Sequence, residues 1–208
     1  MLYIEITGGV GAGKSAILKY LEENYNCRVM LADLIAHDLM EPGAVCYPKL
    51  REMFAEDDVF LENGQINRPK LAQVLFSDDV KRRGCDGIVH LAVRNYIRQQ
   101  VGLERQKGEL DLLISEAALL EDEKDGAIRD ELWYIYTSEE KRRERLKENR
   151  GYSDEKIDSI FRSQMSETEY RARCGAEIDN NQEPETAFAQ IDELLRARGI
   201  QKKECMER

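Results

Sequence analysis

The chain has 208 residues and a formal net charge of −10. This length allows one full α/β core with inserted segments and excludes two large independent domains. A strongly acidic surface repels nucleic acid, whereas a small anionic ligand needs only local positive charge. Since the sequence shows neither a basic-then-apolar leader nor an apolar run of membrane-spanning length, we expect a cytoplasmic protein. We further expect no nucleic-acid or membrane partner, and a monomer or weak homo-oligomer.

Near the start, residues 8–15 read Gly-Gly-Val-Gly-Ala-Gly-Lys-Ser and satisfy the pattern Gly-x4-Gly-Lys-Ser. An apolar run over 2–6 predicts a strand before them, and a helical pattern over 15–24 follows. In this context the glycines let backbone N–H groups converge on phosphate oxygens, Lys14 neutralises charge between the outer phosphates, and the Ser15 hydroxyl ligates Mg²⁺. A glycine-rich turn that happens to precede a helix is the alternative. The strand, loop and helix together favour a nucleoside triphosphate site.

The rest of the chain alternates between strand and helix patterns. A short strand over 28–31 leads into Ala32-Asp33, and helical patterns then run to about residue 105, broken at Glu41-Pro42-Gly43 and at a turn over 62–65. Apolar strands follow over 110–115 and 132–136, with a last strand around Ile178 and a last helix over 185–198. Residues 201–208 lack periodicity, so we expect this tail to fray. The pattern predicts an α/β fold with a parallel sheet and a helical insertion.

A strongly charged helix is predicted over 139–150, where six Lys and Arg residues alternate with four Glu residues. For most of these side chains the simplest interpretation is a solvated surface held by pairs spaced i,i+4. One or two of the arginines could instead act on a bound nucleotide. In a kinase built on this loop, a segment after the fourth strand can close over the triphosphate and bring guanidinium groups to the transferring phosphoryl group.

Three residues outside the loop are candidates for the chemistry of phosphoryl transfer. Asp33 follows the carboxyl end of a strand, where ligands gather in open α/β sheets, and is either a base for the acceptor hydroxyl or an N-cap of a helix beginning at Leu34. Glu116 follows the strand over 110–115 and either holds Mg²⁺ through water, orients the acceptor, or is a surface carboxylate. His90, taken alone, is more typical of a partly buried packing residue than of a substrate contact.

The sequence resembles the dephospho-coenzyme A kinase family over roughly residues 2–195. The resemblance rests on segments spread through the chain and not on the loop alone. These are Thr7 to Ser15, Ala32-Asp33, Glu41-Pro42-Gly43, residues 66–71, Val74-Leu75-Phe76, Ile88-Val89-His90, Arg94, Leu119-Leu120, Arg145-Leu146, Gln164 and Ile178-Asp179-Asn180.

The resemblance implies a fold, an activity and a set of site residues. The fold would be a three-layer P-loop kinase core (1–32, 108–136 and 160–208) with an inserted helical acceptor-binding domain (33–107) and a short helical lid (137–159). The activity would be ATP- and Mg²⁺-dependent phosphorylation of the ribose 3′-hydroxyl of dephospho-coenzyme A, with Asp33, Lys14 and the lid arginine Arg145 as catalytic residues. ATP would be bound by Arg145 and by Gly9, Gly11, Ala12, Gly13, Lys14, Ser15 and Ala16. Substrate would be bound by Thr7, Asp33, His90, Arg94 and Glu116.

Several positions depart from the family pattern. Glu116 and Ala118 stand where the family usually has Asp and Pro, Leu91 replaces the proline after His90, and Asn149 replaces a second lid arginine, with Arg150 next to it. Two other functions therefore stay open beside the family's own. One is a kinase of the same fold acting on another small hydroxyl, such as a nucleoside or nucleotide. The other is an ATP-binding regulatory protein without transfer activity.

Overall fold

The computed structural model describes residues 1–116 and 128–203. The strands of these described ranges are β1 (Leu2–Thr7), β2 (Cys27–Leu31), β3 (Leu112–Glu116), β4 (Glu131–Tyr136) and β5 (Ala176–Asp179). The helices are α1 (Lys14–Asn24), α2 (Ala32–Leu39), α3 (Tyr47–Met53), α4 (Arg68–Ser77), α5 (Asp79–Lys107), α6 (Glu139–Arg150), α7 (Asp154–Arg162), α8 (Glu167–Arg173) and α9 (Pro184–Ala197).

The five strands form one sheet in the order β2-β3-β1-β4-β5. β1 lies at its centre and pairs in parallel with β3 on one side and β4 on the other, and β4 pairs in parallel with β5. The register sets Ile6 opposite Glu116. Because parallel strands end at the same edge of a sheet, the loop after β1 and the side chain of Glu116 meet at one edge.

The strands are buried on both faces. Tyr3 and Ile4 are successive residues of β1, and each has 0 % of its surface exposed, as do Leu112, Leu113 and Ile114 in β3. Successive residues of a strand point to opposite faces, so this burial requires a helical layer on each side. The expected α/β class with a parallel sheet between helices is confirmed.

The chain divides into two compact units. The sheet unit comprises Met1–Met30 and Glu104–Arg208, and the helical unit comprises Leu31–Leu103. The helical unit has a hydrophobic core of its own that includes Leu50, Phe54 and Val59. Each unit therefore has packing of its own.

The longest helix, α5, has 29 residues and carries charged side chains at both ends. Throughout the described parts of the chain, no helix combines the length and the apolar character needed to cross a membrane.

The start of α2 corrects the predicted helix boundary. This helix begins at Ala32 and not at Leu34, its N-cap is Leu31, and Asp33 lies inside its first turn. β2 runs directly into the helix, so no non-helical residue remains between them to accept the first N–H groups through a side chain. The interpretation of Asp33 as an N-cap is wrong.

The start of the tail corrects a second expectation. Lys203 donates its backbone N–H to the Asn24 carbonyl at 2.8 Å, and Lys202 Nζ lies 2.7 Å from Asp192 Oδ2. Residues 201–203 are therefore held against α1 and α9 and do not fray, whereas the rest of the predicted tail, 204–208, lies outside the described residues. Two individual lysines make this attachment, so no periodic pattern in the sequence indicates it.

Candidate active site

The loop between β1 and α1 has the backbone of an anion cradle. Gly11 and Gly13 have φ values of +85° and +88°, in the left-handed region that glycine adopts without strain. Gly13 is the N-cap of α1, and no side chain caps this end of the helix. The first N–H groups of a helix have no acceptor within it, and the helix dipole favours negative charge there. This end of α1 therefore suits a phosphate group.

Side chains from two other strand ends fix the Ala12 carbonyl. Asn180 Nδ2 donates to it at 2.8 Å and Thr137 Oγ1 donates at 3.0 Å, and both residues are buried. A Cβ at Gly13 would overlap the Asn180 amide, so only glycine fits there. The positions after β4 and β5 thus hold the phosphate loop in its conformation.

Lys14 lies at the start of α1 with most of its side chain covered. Its Nζ donates to the Gly8 carbonyl at 2.8 Å and lies 3.4 Å from Glu116 Oε1. Burial lowers the pKa of the Lys14 ammonium below its usual value, Glu116 opposes this shift, and the charges of Arg142 and Arg150 add to it. The ammonium therefore belongs to an electrostatic cluster at the loop, with Glu116 as its carboxylate partner.

Two further positions of the loop and one position of β1 are the remaining site residues that the sequence predicts in the sheet unit. Ser15 and Ala16 are exposed in the first turn of α1, and Thr7 ends β1 with only 3 % of its surface exposed. Hydroxyl and carboxylate oxygens are the hard ligands that Mg²⁺ prefers. Within residues 1–116 and 128–203, no group of three or more His, Cys, Asp or Glu side chains is arranged to hold a metal ion.

Arg145 reaches the phosphate loop from α6. Its Nη2 donates to the Asn180 carbonyl at 3.0 Å, and its Nη1 lies 3.5 Å from both the Ala12 carbonyl and Thr137 Oγ1. The guanidinium therefore contacts the same group of atoms that fixes Ala12. The structure brings Arg145, Lys14, the glycines and Glu116 into one unit.

Arg142 is a residue of this region that the sequence analysis did not single out. Its Nε donates to the Val10 carbonyl at 2.9 Å, and its guanidinium carbon lies 4.3 Å from the centre of the Phe161 ring. From the sequence alone, Arg142 is one of the charged side chains of a predicted solvated surface. Its spacing of three residues from Arg145 was a usable signal, because i and i+3 lie on the same side of a helix.

The helical unit holds the remaining candidates. Asp33 is exposed in the first turn of α2. His90 lies on α5 between the buried residues Val89 and Val93, with 40 % of its side chain exposed and its Nε2 4.0 Å from Asp86 Oδ1. Arg94 is exposed one turn further along the same helix, on the same side as His90. The hydrophobic core therefore uses the neighbours of His90, and His90 and Arg94 share a more open surface of α5.

Three positions named from the sequence lie outside the described residues. They are Ala118, where the family pattern has proline, and two leucines. Two of these, Leu119 and Leu120, belong to the segments that carried the resemblance. Among the departures from the family pattern that the structure does describe, Asn149 is exposed at the end of α6.

Comparisons with known proteins agree with this geometry. The family model described as dephospho-CoA kinase matches residues 2–185. The dephospho-CoA kinase of Oceanobacillus iheyensis is 33 % identical over 195 residues, which cover 93 % of this chain and 96 % of that protein.

Two solved structures share the fold. The Thermus thermophilus protein TT1252 has a TM-score of 0.75 and 24 % identity, covering 94 % of this chain and 97 % of that one. The dephospho-CoA kinase from Campylobacter jejuni has a TM-score of 0.65 and 18 % identity, covering 92 % of this chain and 96 % of that one. The family match spans most of the chain and includes the whole phosphate loop, so this chain belongs to the dephospho-CoA kinase family.

Proposed function

We propose that this protein transfers the γ-phosphoryl group of ATP to the ribose 3′-hydroxyl of dephospho-CoA, which yields CoA and ADP. The observation that carries the proposal is the phosphate loop at the start of α1, with Lys14 beside it and Glu116 as the partner of Lys14. Family membership supports dephospho-CoA as the acceptor. The proposal places the reaction in the cytoplasm, with no nucleic-acid or membrane partner and with a monomer or weak homo-oligomer as the active form.

In this proposal the sheet unit binds the nucleotide. The backbone N–H groups of Gly9 and of residues 11–16 bind phosphate oxygens, and Lys14 and Arg145 supply positive charge. Bound with ATP, Mg²⁺ would neutralise phosphate charge, and the exposed Ser15 hydroxyl and the Glu116 carboxylate fit the oxygen ligands it requires.

The helical unit and Thr7 would bind the acceptor. Asp33 is two residues beyond β2 and exposed, so its carboxylate is available to a substrate hydroxyl. Asp33 takes the proton of the 3′-hydroxyl as that oxygen bonds to the γ-phosphorus, and the bond from this phosphorus to the β,γ-bridging oxygen breaks to release ADP. His90 and Arg94 share one side of α5 and would contact the acceptor. The proposal assigns acceptor binding to residues 33–107 and the lid to residues 137–159.

The test is ADP formation from ATP and Mg²⁺ with dephospho-CoA, run beside adenosine, a panel of nucleoside monophosphates and a blank without acceptor. The expected result is ADP formation that depends on dephospho-CoA, with the new phosphate on the 3′-oxygen by ³¹P and ¹H NMR. ADP formation only with another acceptor would show that the insertion serves a different substrate. Tight ATP binding with no transfer to any acceptor would favour a regulatory role.

A further inference from the structure

We propose that Arg142 and Gln164 are positioning residues that clamp the Val10 peptide of the phosphate loop and so hold the loop ready for the phosphates of a nucleotide. The inference rests on the proposed function to the extent that the loop binds ATP. It does not depend on which acceptor receives the phosphoryl group. All the residues that carry it belong to the sheet unit.

Val10 is held at both its amide and its carbonyl. Arg142 Nε donates to the Val10 carbonyl at 2.9 Å, and the Val10 N–H donates to Gln164 Oε1 at 3.3 Å. The two clamping side chains are joined to each other, because Arg142 Nη2 also donates to Gln164 Oε1 at 2.5 Å. One guanidinium and one amide oxygen therefore fix the orientation of residue 10 within the loop.

The guanidinium itself has little freedom to move. On one side it lies over the Phe161 ring, with 4.3 Å from its carbon to the ring centre. On the other side it packs on Gly9, where a Cβ would overlap the guanidinium atoms. A side chain at Gly9 would therefore displace the guanidinium, although the φ of Gly9 is not positive. A planar fork held in this way loses little entropy per hydrogen bond formed.

The clamp also adds positive charge at the loop. The two hydrogen-bond acceptors of Arg142, a carbonyl and an amide oxygen, are both neutral. Burial lowers the pKa of Arg142, but the usual value for arginine is so high that the group stays charged at neutral pH. Its charge reaches Lys14, whose pKa it helps to lower. Arg142 thus combines a rigid backbone contact with a charge that attracts phosphate.

Its neighbour Arg143 provides a matched control on the same helix. Arg143 also lies near the Phe161 ring, at 5.4 Å, but its guanidinium pairs with the carboxylates of Asp154 at 3.0 Å and Asp158 at 2.5 Å. Arg142→Ala and Arg143→Ala remove the same side chain and the same formal charge. Of the two, only Arg142 has a hydrogen bond to the loop backbone.

The experiment measures the Kd of MgATP and of MgADP by titration calorimetry, and the KM of dephospho-CoA by steady-state kinetics. The variants are Arg142→Ala, Arg142→Lys, Gln164→Ala, the Arg142→Ala/Gln164→Ala double variant and Arg143→Ala. We expect Arg142→Ala to raise the Kd of both nucleotides by about tenfold to a hundredfold, which is the range expected for the loss of a charge-assisted hydrogen bond. The KM of dephospho-CoA should change by less than about twofold, as should every constant of Arg143→Ala.

Two variants separate positioning from charge. Lysine keeps the charge of Arg142 but not the planar fork, so Arg142→Lys should recover only the part of the nucleotide affinity that the charge supplies. Gln164→Ala should also raise the Kd of both nucleotides. The double variant should lose much less affinity than the product of the two single fold-changes, because both side chains act on one peptide.

Three results would overturn the proposal. They are equal nucleotide affinities for Arg142→Ala and Arg143→Ala, a loss for ATP that spares ADP, and full rescue by lysine. If Arg142→Ala does not fold, as shown by its thermal unfolding, Gln164→Ala carries the same comparison. A parent protein that binds ATP but forms no CoA would contradict the proposed function alone, because the clamp is read from nucleotide affinity.

Discussion

At the scale of single residues, the charge on Lys14 depends on the groups around it. Burial and the nearby arginines disfavour the charged form of Lys14, and the Glu116 carboxylate at 3.4 Å favours it. The pKa of Lys14 is lowered overall, so this lysine loses its proton at a lower pH than an exposed lysine does. We therefore expect nucleotide binding to weaken as the pH rises into the alkaline range.

The Glu116→Gln variant should shift the alkaline limb of the pH profile, which is the range where kcat/KM for ATP falls as the pH rises. Removal of the carboxylate takes away the interaction that raises the pKa of Lys14, so the fall of kcat/KM for ATP should begin at lower pH than in the parent. The parameter kcat/KM reports groups of the free enzyme and is measured across a pH series with saturating acceptor. Glu131→Gln, which removes a carboxylate paired with Arg198 at the start of β4, is the control and should leave the limb in place. An unshifted limb in Glu116→Gln would mean that another group titrates there.

The Asp33→Asn variant tests the proposed base. Asparagine has nearly the same shape but does not accept the proton, so kcat should fall by about a hundredfold to ten-thousandfold, the usual range for a positioned acid or base. The Kd of MgATP should stay close to that of the parent. Asp38→Asn is the matched control, since Asp38 is also exposed on α2. Equal turnover by the two variants would remove Asp33 from the mechanism.

At the scale of elements, α1, α9 and the start of the tail are joined through one carboxylate. Asp192 on α9 accepts hydrogen bonds from the hydroxyls of Tyr20 at 2.6 Å and Tyr25 at 2.7 Å, and it pairs with Lys202. Burial alone would raise the pKa of Asp192, but these three donors outweigh it and hold the pKa below its usual range. The ionised form of Asp192 therefore stabilises the packing of α1 on α9.

The Asp192→Asn variant should lose stability in a pH-dependent way. A carboxyl whose pKa is lower in the folded than in the unfolded state stabilises the fold above its unfolded pKa, about 3.9, and this contribution is lost as pH falls through the folded value. At pH 7 the free energy of unfolding should fall by about 1 to 3 kcal/mol, as expected for hydrogen bonds to a charged group. The difference from the parent should shrink in urea titrations at pH values below 4. Glu193→Gln, at the exposed next position of α9, should show neither effect.

At the scale of the whole molecule, the two units have separate cores. The sheet unit buries β1, β3 and β4, and the helical unit buries the cluster around Leu50 and Phe54. Separate cores allow one unit to lose stability while the other keeps its structure. Nucleotide binding, assigned to the sheet unit, should then tolerate a change in the other core.

The Leu50→Ala variant tests this separation. Leu50 is 1 % exposed, and its truncation should cost about 2 to 5 kcal/mol of stability. Hydrogen exchange should become faster in α3 and α4, while the amides of β1 and β3 and the Kd of MgATP stay close to the parent values. Leu61→Ala makes the same chemical change at a residue that is 45 % exposed, and should have little effect. Faster exchange in β1 and β3 of Leu50→Ala would show that the two cores unfold together.

The sequence by itself determined the local parts of this protein. The phosphate-loop motif, the strand before it, the charged helix over 139–150 and the position of Asp33 just beyond a strand were all predictable, because each depends on residues close together in the chain. The resemblance to the dephospho-coenzyme A kinase family was also available from short segments of the sequence, and the family match confirms it.

Only the tertiary structure decided what supports the loop. Arg142 contacts Val10 across 132 residues of chain, Gln164 contacts it across 154, and Asn180 reaches Ala12 across 168. Hydrophobic periodicity and motifs describe relations between near neighbours, whereas these contacts depend on how α6, α7 and the end of β5 pack on the sheet. Arg142 and Arg143 are neighbouring arginines on one charged helix, and only the packing shows that Arg142 binds the loop backbone while Arg143 pairs with carboxylates.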